Sequence, residues 1–185
     1  MQKKNKLSLS VFKSVKTLCT AAFFCALCVV ISYICKSFTV TMSVRITFEN
    51  LPLILAGIIL GPIPGLLTGL CADVVSTAAS QFGFGGINPI LTVGSACVGF
   101  LAGLLPRYIV RKRSAFQVFI TVYFAHIAGN MIIKTMGLYF YYSTPPAEIL
   151  IRIFVYIGIA TVEAIIINLL LKSKGISKAI GELNK

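Results

Sequence analysis

Apolar runs of about 17–25 residues recur along this chain, and this recurrence constrains its fold more than any other feature. A run of that length is what a helix needs to cross the hydrocarbon core of a bilayer. The runs predict an all-α integral membrane protein, with six transmembrane helices in one compact bundle and a single membrane domain over residues 1–185. The helices are expected at about residues 15–34, 47–60, 64–80, 88–105, 115–134 and 147–171.

The second predicted helix is shorter than the others. Its roughly 14 residues reach only about 21 Å, less than the ~30 Å of a hydrocarbon core. A turn rich in glycine and proline, at residues 61–65, joins it to the third helix. The two helices either cross the membrane separately or form a re-entrant hairpin. Glycines at a spacing of four predict close helix contacts here. These glycines are Gly57, Gly61, Gly65, Gly69, Gly99 and Gly103.

The net charge of +12 lies mostly at the ends of the apolar runs, which argues against a nucleic-acid partner. Basic residues cluster at the N-terminus, in the loop at residues 106–114 and at the C-terminus. Because loops rich in Lys and Arg stay in the cytoplasm, we expect both termini there and a multi-pass protein in the cell membrane. The outer side then holds the loops at residues 35–46, 81–87 and 136–146.

Sequence motifs for chemistry are missing. The sequence contains no G-x-x-x-x-G-K-[ST] loop, so it cannot hydrolyse ATP by that route. It has no Ser/His/Asp set, no paired-carboxylate site and no spacing of metal ligands. Its six cysteines fall in or beside the apolar runs and are expected to pack as small apolar residues. We therefore expect no enzyme, no catalytic residue, no metal site and no cofactor.

Basic residues outside the cytoplasmic pattern are the first candidates for a binding site. Arg45, Lys134 and Arg152 map to the outer loops or to the outer ends of helices. Ionisable groups near membrane depth are costly and tend to be functional. Such side chains can instead extend to the lipid headgroups, and Arg152 can instead pair with Glu148, one turn earlier. All three are candidates for ligand contact.

The fifth predicted helix carries His126, Asn130 and Lys134 at a spacing of four, which places them on one face. A polar face on a membrane helix turns towards the interior of the bundle. Asn130 and Lys134 lie nearer the outer surface and are candidate site residues, whereas His126 is interpreted as structural. Asp73 and Glu163 are also interpreted as structural.

Two further features sit at helix ends. Asn88 precedes Pro89 and is interpreted as the N-cap of the fourth helix, beside an outer loop. Ala22 and Ala26 give the first helix a face of small residues near its cytoplasmic end. That face either packs inside the bundle or docks another membrane protein.

The run RITFENLPLILAGIILGP, from Arg45 to Pro62, is followed by Gly65, Gly69 and Asp73. It resembles the folate-specific substrate-binding subunits (S-components) of energy-coupling factor vitamin transporters. The resemblance extends over nearly the whole chain. It implies a subunit that binds its vitamin from outside the cell and docks on a transmembrane coupling protein with two ATPase subunits. The Ala22-x-x-x-Ala26 element is similar to the motif by which such subunits contact the coupling protein.

The ligand implied by the resemblance is folate, which has a flat pterin ring, a benzoyl spacer and two carboxylates. A site for it needs cations, amides and aromatic faces. The expected contacts are Arg45, Lys134 and Arg152 as cations, Asn88 and Asn130 as amides, and Phe48, Phe84 and Tyr139 as rings. One alternative is an S-component for another water-soluble vitamin. An alternative of a different class is a stand-alone membrane interaction protein or small channel.

Overall fold

The computed structural model describes residues 15–35, 46–79, 88–109 and 115–173. Every regular element in these ranges is helical, which confirms the predicted all-α membrane fold. Two π-helical segments, Leu105–Ile109 and His126–Lys134, extend α4 and join α5 to α6. The α-helices are α1 (Val15–Cys35), α2 (Asn50–Leu60), α3 (Pro62–Ala79), α4 (Pro89–Leu104), α5 (Ala115–Ala125), α6 (Thr135–Tyr142) and α7 (Pro146–Lys172).

Five of the helical rods are long and apolar enough to cross a membrane. They are α1, α3, α4 with its π-helical extension, the continuous rod from α5 to α6, and α7. The sixth, α2, has only 11 residues and begins later than its predicted start at residue 47. Most of its side chains are buried, so neighbouring helices rather than lipid surround it. A helix enclosed by protein does not have to match the thickness of the bilayer.

The fifth helix extends further than predicted. The sequence favours an end near residue 134 and an aromatic loop over residues 136–146, but the rod continues as helix to Tyr142. The chain leaves the helix at Ser143, which adopts a left-handed conformation with φ of 47°. Gly137 does not break the helix, because its missing Cβ lets it pack against Ile90 of α4. The effective breaker is the proline that opens α7 together with the one before it.

Helices α2, α3 and α4 interlock through glycine, as the spacing of four predicts. A Cβ on Gly57 would lie 2.5 Å from the carbonyl oxygen of Gly99, and one on Gly65 would meet the same carbonyl. Only glycine permits backbones to approach this closely. The turn between α2 and α3 is made by Gly61, whose φ of 118° strongly favours glycine. These contacts fix the positions of α2, α3 and α4, against which the polar residues described below pack.

Candidate functional site

Polar side chains gather at one end of the bundle. At this end α2, α4 and α7 begin, with Asn50, Pro89 and Pro146 as their first residues, and we call it the site end. The side chains come from α2, α3, α4, the π-helical segment His126–Lys134 and α7, so residues distant in sequence meet there. The distribution of Lys and Arg along the chain predicts that this end faces the outside of the cell.

Lys134 is a buried basic residue at the site end, next to the start of α2. The residue is 6% exposed, and Nζ lies 3.6 Å from Oε1 of Glu49. The aliphatic part of the side chain lies against Gly94 of α4, where a Cβ would come within 2.5 Å of Lys134 Cγ. Gly94 therefore makes room for a buried lysine, and the ion pair partly compensates the cost of removing its charge from water.

Asn130, one turn earlier, belongs to a chain of fully buried polar groups. Its Nδ2 lies 3.1 Å from Nδ1 of His126, and Nε2 of His126 lies 2.7 Å from Oε2 of Glu163 on α7. All three side chains are 0% exposed. The chain of hydrogen bonds joins the π-helical segment to α7 across the interior of the bundle.

Arg152 lies beside the same segment. It is 6% exposed, and its Nη2 donates to the backbone oxygen of Asn130 at 3.5 Å. Its guanidinium carbon lies 4.7 Å from the centroid of the Tyr156 ring, a cation–π arrangement. The structure thus brings Asn130 and Arg152 together, with Lys134 one turn further along.

Asn88 is the N-cap of α4, as interpreted from the sequence. Its Oδ1 accepts a hydrogen bond from the backbone N–H of Ile90 at 3.0 Å, which leaves the amide nitrogen for another partner. That Nδ2 is buried and has no hydrogen-bond partner among the described residues. The Oδ1 atoms of Asn50 and Asn130 are buried and unpartnered in the same way. Buried amide atoms are nearly always paired, so these three atoms are candidates for contact with a polar ligand.

A small cavity lies between α1, α2, α3 and α4 at the site end. Its volume is about 20 Å³, room for about one water molecule, so it is not large enough to hold a vitamin. Asp73 lines it and accepts hydrogen bonds from the hydroxyls of Thr92, at 2.7 Å, and Ser95, at 3.0 Å. This geometry agrees with the interpretation of Asp73 as a structural link between α3 and α4.

The remaining candidate residues are placed differently. Phe48 is half-buried just before α2, whereas Tyr139 is 52% exposed and its ring stacks edge-on against Phe140 at 5.6 Å between centroids. Arg45 and Phe84 lie outside the described residues. The structure therefore keeps Tyr139 on the surface of α6, away from the buried amides.

The predicted docking residues lie on the outside of the bundle. Ala22 and Ala26 are both exposed on α1, which favours a docking face over internal packing.

Sequence reasoning did not select Glu49 as a site residue, although it pairs with Lys134. The small number of acidic residues could have indicated its role. The chain has only five, and three of them make polar contacts with another element: Glu49, Asp73 and Glu163. A carboxylate that persists in so apolar a chain marks an interior contact.

Comparisons with known proteins agree with this architecture. The family model described as "ECF-type riboflavin transporter, S component" matches residues 12–178. Among solved structures, the crystal structure of FolT bound with folic acid has the same fold, with a TM-score of 0.68 and 21% sequence identity. The match covers 82% of this chain and 90% of that one. No curated protein sequence matches the chain.

Proposed function

Because the chain belongs to the family of ECF-type riboflavin transporter S components, we propose that it captures folate at the site end and hands it to an energising partner. Members of this family are multi-pass membrane subunits that bind a vitamin for transport, and they are not enzymes. The family fixes the class of the protein, and the identity of the vitamin is the proposal.

Buried positive charge is the observation that carries the folate proposal. Lys134 and Arg152 are each 6% exposed at the site end, and Glu49 is the acidic residue paired with Lys134. Arg45 directly precedes the described range 46–79 and is a third cation in the sequence. A ligand with two carboxylates would complement such a site, because charge-assisted hydrogen bonds are about twice as strong as neutral ones.

The amides and rings supply the rest of the proposed site. The unpartnered atoms of Asn88 and Asn130 suit the donors and acceptors of a pterin edge. Phe48, Phe84 and Tyr139 are the proposed ring contacts. For Tyr139 to act, the ligand must reach the surface of α6, where this ring is exposed. The solved neighbour with this fold contains folic acid, which makes folate the first ligand to test.

We further propose that a transmembrane coupling protein and two ATPase subunits drive uptake. The chain has no phosphate-binding loop of its own, so energy has to come from outside it. The exposed Ala22 and Ala26 on α1 provide the contact surface within the bilayer, since small residues let two helix backbones approach.

Riboflavin is the second candidate, and the family's own description favours it. Riboflavin carries a flat ring with donors and acceptors but no carboxylate. Riboflavin would hydrogen-bond to the amides, but it has no anionic group to pair with the cations. The two vitamins therefore differ in how strongly their binding should depend on Lys134 and Arg152.

Calorimetry on detergent-purified protein distinguishes the candidates. We expect folic acid to bind more tightly than riboflavin, thiamine or biotin. Tighter binding of riboflavin would replace folate by the second candidate. Binding of no vitamin in the panel would leave the alternative of a membrane interaction protein or small channel.

A further inference from the structure

The hydrogen bonds of the buried groups Glu163, His126 and Asn130 restrict where the proton of the imidazole can sit. The side-chain nitrogen of an asparagine can only donate, and here it faces Nδ1 of His126 at 3.1 Å. Nδ1 must therefore accept and carry no proton. The proton of a neutral imidazole then sits on Nε2, which faces Oε2 of Glu163 at 2.7 Å and donates to it.

The opposite arrangement exposes a different atom of Asn130. If Nδ1 of His126 carried a proton, it would have to donate to Oδ1 of Asn130, and the amide would turn by half a rotation. The atom offered to the surroundings would then be Nδ2, a donor. In the observed arrangement it is Oδ1, which is buried and has no partner among the described residues.

We propose that Glu163 and His126 are positioning residues that fix the orientation of the Asn130 amide, so that its Oδ1 is presented to an N–H donor of the ligand. The inference rests on the proposed function for the existence of that ligand. It identifies the ligand class as a flat heterocycle with an N–H or NH₂ group on its edge, which both candidate vitamins possess. Glu163 and His126 do not touch the ligand themselves.

The local structure supports this orienting role. His126 opens the π-helical segment and Asn130 follows four residues later, so the two side chains lie on one face of the widened helix. Neither can turn towards water, because both are 0% exposed. Nη2 of Arg152 also donates to the backbone oxygen of Asn130 at 3.5 Å. The amide is thus held at both its backbone and its side chain.

The position of the proton can be read directly, because His126 is the only histidine in the chain. In protein labelled with ¹⁵N in the imidazole ring, each signal in the spectrum belongs to this residue. We expect a protonated Nε2 and an unprotonated Nδ1 in the protein without ligand. A spectrum showing Nδ1–H, or both nitrogens protonated, would overturn the proposal whatever the ligand turns out to be.

Variants of Glu163 connect the proton to binding. Glu163→Leu removes the acceptor, so the imidazole should populate both neutral forms and affinity for folic acid should fall roughly 5- to 150-fold. Glu163→Gln still offers an oxygen to Nε2–H and should keep both the spectrum and most of the affinity. Thr161→Val is the matched control, because it breaks the 2.6 Å bond to Tyr123 between α5 and α7 without touching His126.

The outcomes separate the inference from the proposed function. A folded Glu163→Leu protein with mixed imidazole forms and unchanged affinity for folic acid would refute the positioning role. A loss of affinity in Thr161→Val equal to that in Glu163→Leu would refute it too, since general damage between α5 and α7 would then explain both. If neither folic acid nor riboflavin binds the wild-type protein, the proposed function fails, and the imidazole spectrum alone decides the proton arrangement.

Discussion

At the scale of single residues, Lys134 shows how a charge is kept inside an apolar bundle. Gly94 makes space for its stem, and Glu49 supplies an opposite charge 3.6 Å away. The ion-pair distance is longer than an ideal charge-assisted hydrogen bond of about 2.7–2.9 Å, so the pair leaves Lys134 able to engage an anionic ligand.

The first prediction removes this charge. Lys134→Ala should weaken folic acid binding roughly 10- to 150-fold, because a hydrogen bond to a charged group contributes about 1.5–3 kcal/mol. Calorimetry on the purified protein measures the change. Lys172→Ala removes an equal charge from an exposed position at the other end of α7 and should bind as the wild type does.

Glu49→Gln completes this comparison. If Lys134 serves the ligand, the variant should not weaken binding, since Lys134 keeps its charge. If Lys134 serves only to pair with Glu49, both variants should lose thermal stability and neither should lose affinity. That second pattern would remove Lys134 from the site.

Asn88 carries two roles on two atoms, which allows a second prediction. Oδ1 caps α4, while Nδ2 is buried and unpartnered. Asn88→Ser keeps a capping oxygen, so the melting temperature should hold while folic acid binding weakens. Asn88→Ala loses the cap as well and should cost a further ~0.5–2 kcal/mol of stability. If Asn88→Ser keeps both the affinity and the stability of the wild type, Asn88 serves only as the cap of α4.

At the scale of helices, the contact between α2, α3 and α4 depends on missing side chains. Gly57, Gly65 and Gly99 meet where any Cβ would strike a neighbouring backbone. In lipid, where apolar surfaces gain little by leaving the solvent, such close packing is a main source of helix association. This explains how α2 can remain in place despite its 11 residues.

The third prediction tests that contact. Gly57→Ala and Gly99→Ala should destabilise the protein and lower its melting temperature in detergent, because the added Cβ would push α2 from α4 at Gly57 and α3 from α4 at Gly99. Gly158→Ala is the matched control on α7, where a Cβ would meet nothing within 4 Å. The control should be neutral or slightly stabilising, since alanine favours helix over glycine by about 1 kcal/mol. Equal melting temperatures for all three variants would contradict the interlock.

At the scale of the whole molecule, the site end and the exposed face of α1 serve different proposed partners. The site end gathers the buried amides and cations, while α1 leaves Ala22 and Ala26 exposed along its length. A ligand and a coupling protein could therefore bind at separate surfaces. Separation of this kind lets one be disabled without the other.

The fourth prediction uses this separation. Ala22→Trp and Ala26→Trp should abolish folic acid uptake in cells while the purified proteins still bind the vitamin, because a bulky ring blocks close helix approach. Ala78→Trp, on an exposed position of α3, is the control expected to keep both activities. Ala72→Trp, at a buried position of the same helix, should lose folding and binding together. Normal uptake by both α1 variants would rule out docking through this face.

The sequence by itself determined the membrane class, the helical fold and the contact through glycine. These follow from local properties: the length of apolar runs, the conformational limits of glycine and proline, and a spacing that repeats every turn. It also pointed to Asn130, Lys134 and Arg152, because a polar or charged group in an apolar run is visible without knowing its neighbours.

Only the tertiary structure decided which of those groups meet. Glu49 precedes α2 and Lys134 ends the π-helical segment, so their pairing depends on how distant helices pack. The same holds for Glu163 and His126, 37 residues apart, which sequence reasoning took for separate structural residues. It also decided that the fifth helix continues to Tyr142, since Gly137 packs on α4 where isolated sequence suggested a loop. Contacts between elements come from packing the whole bundle, and no local pattern encodes them.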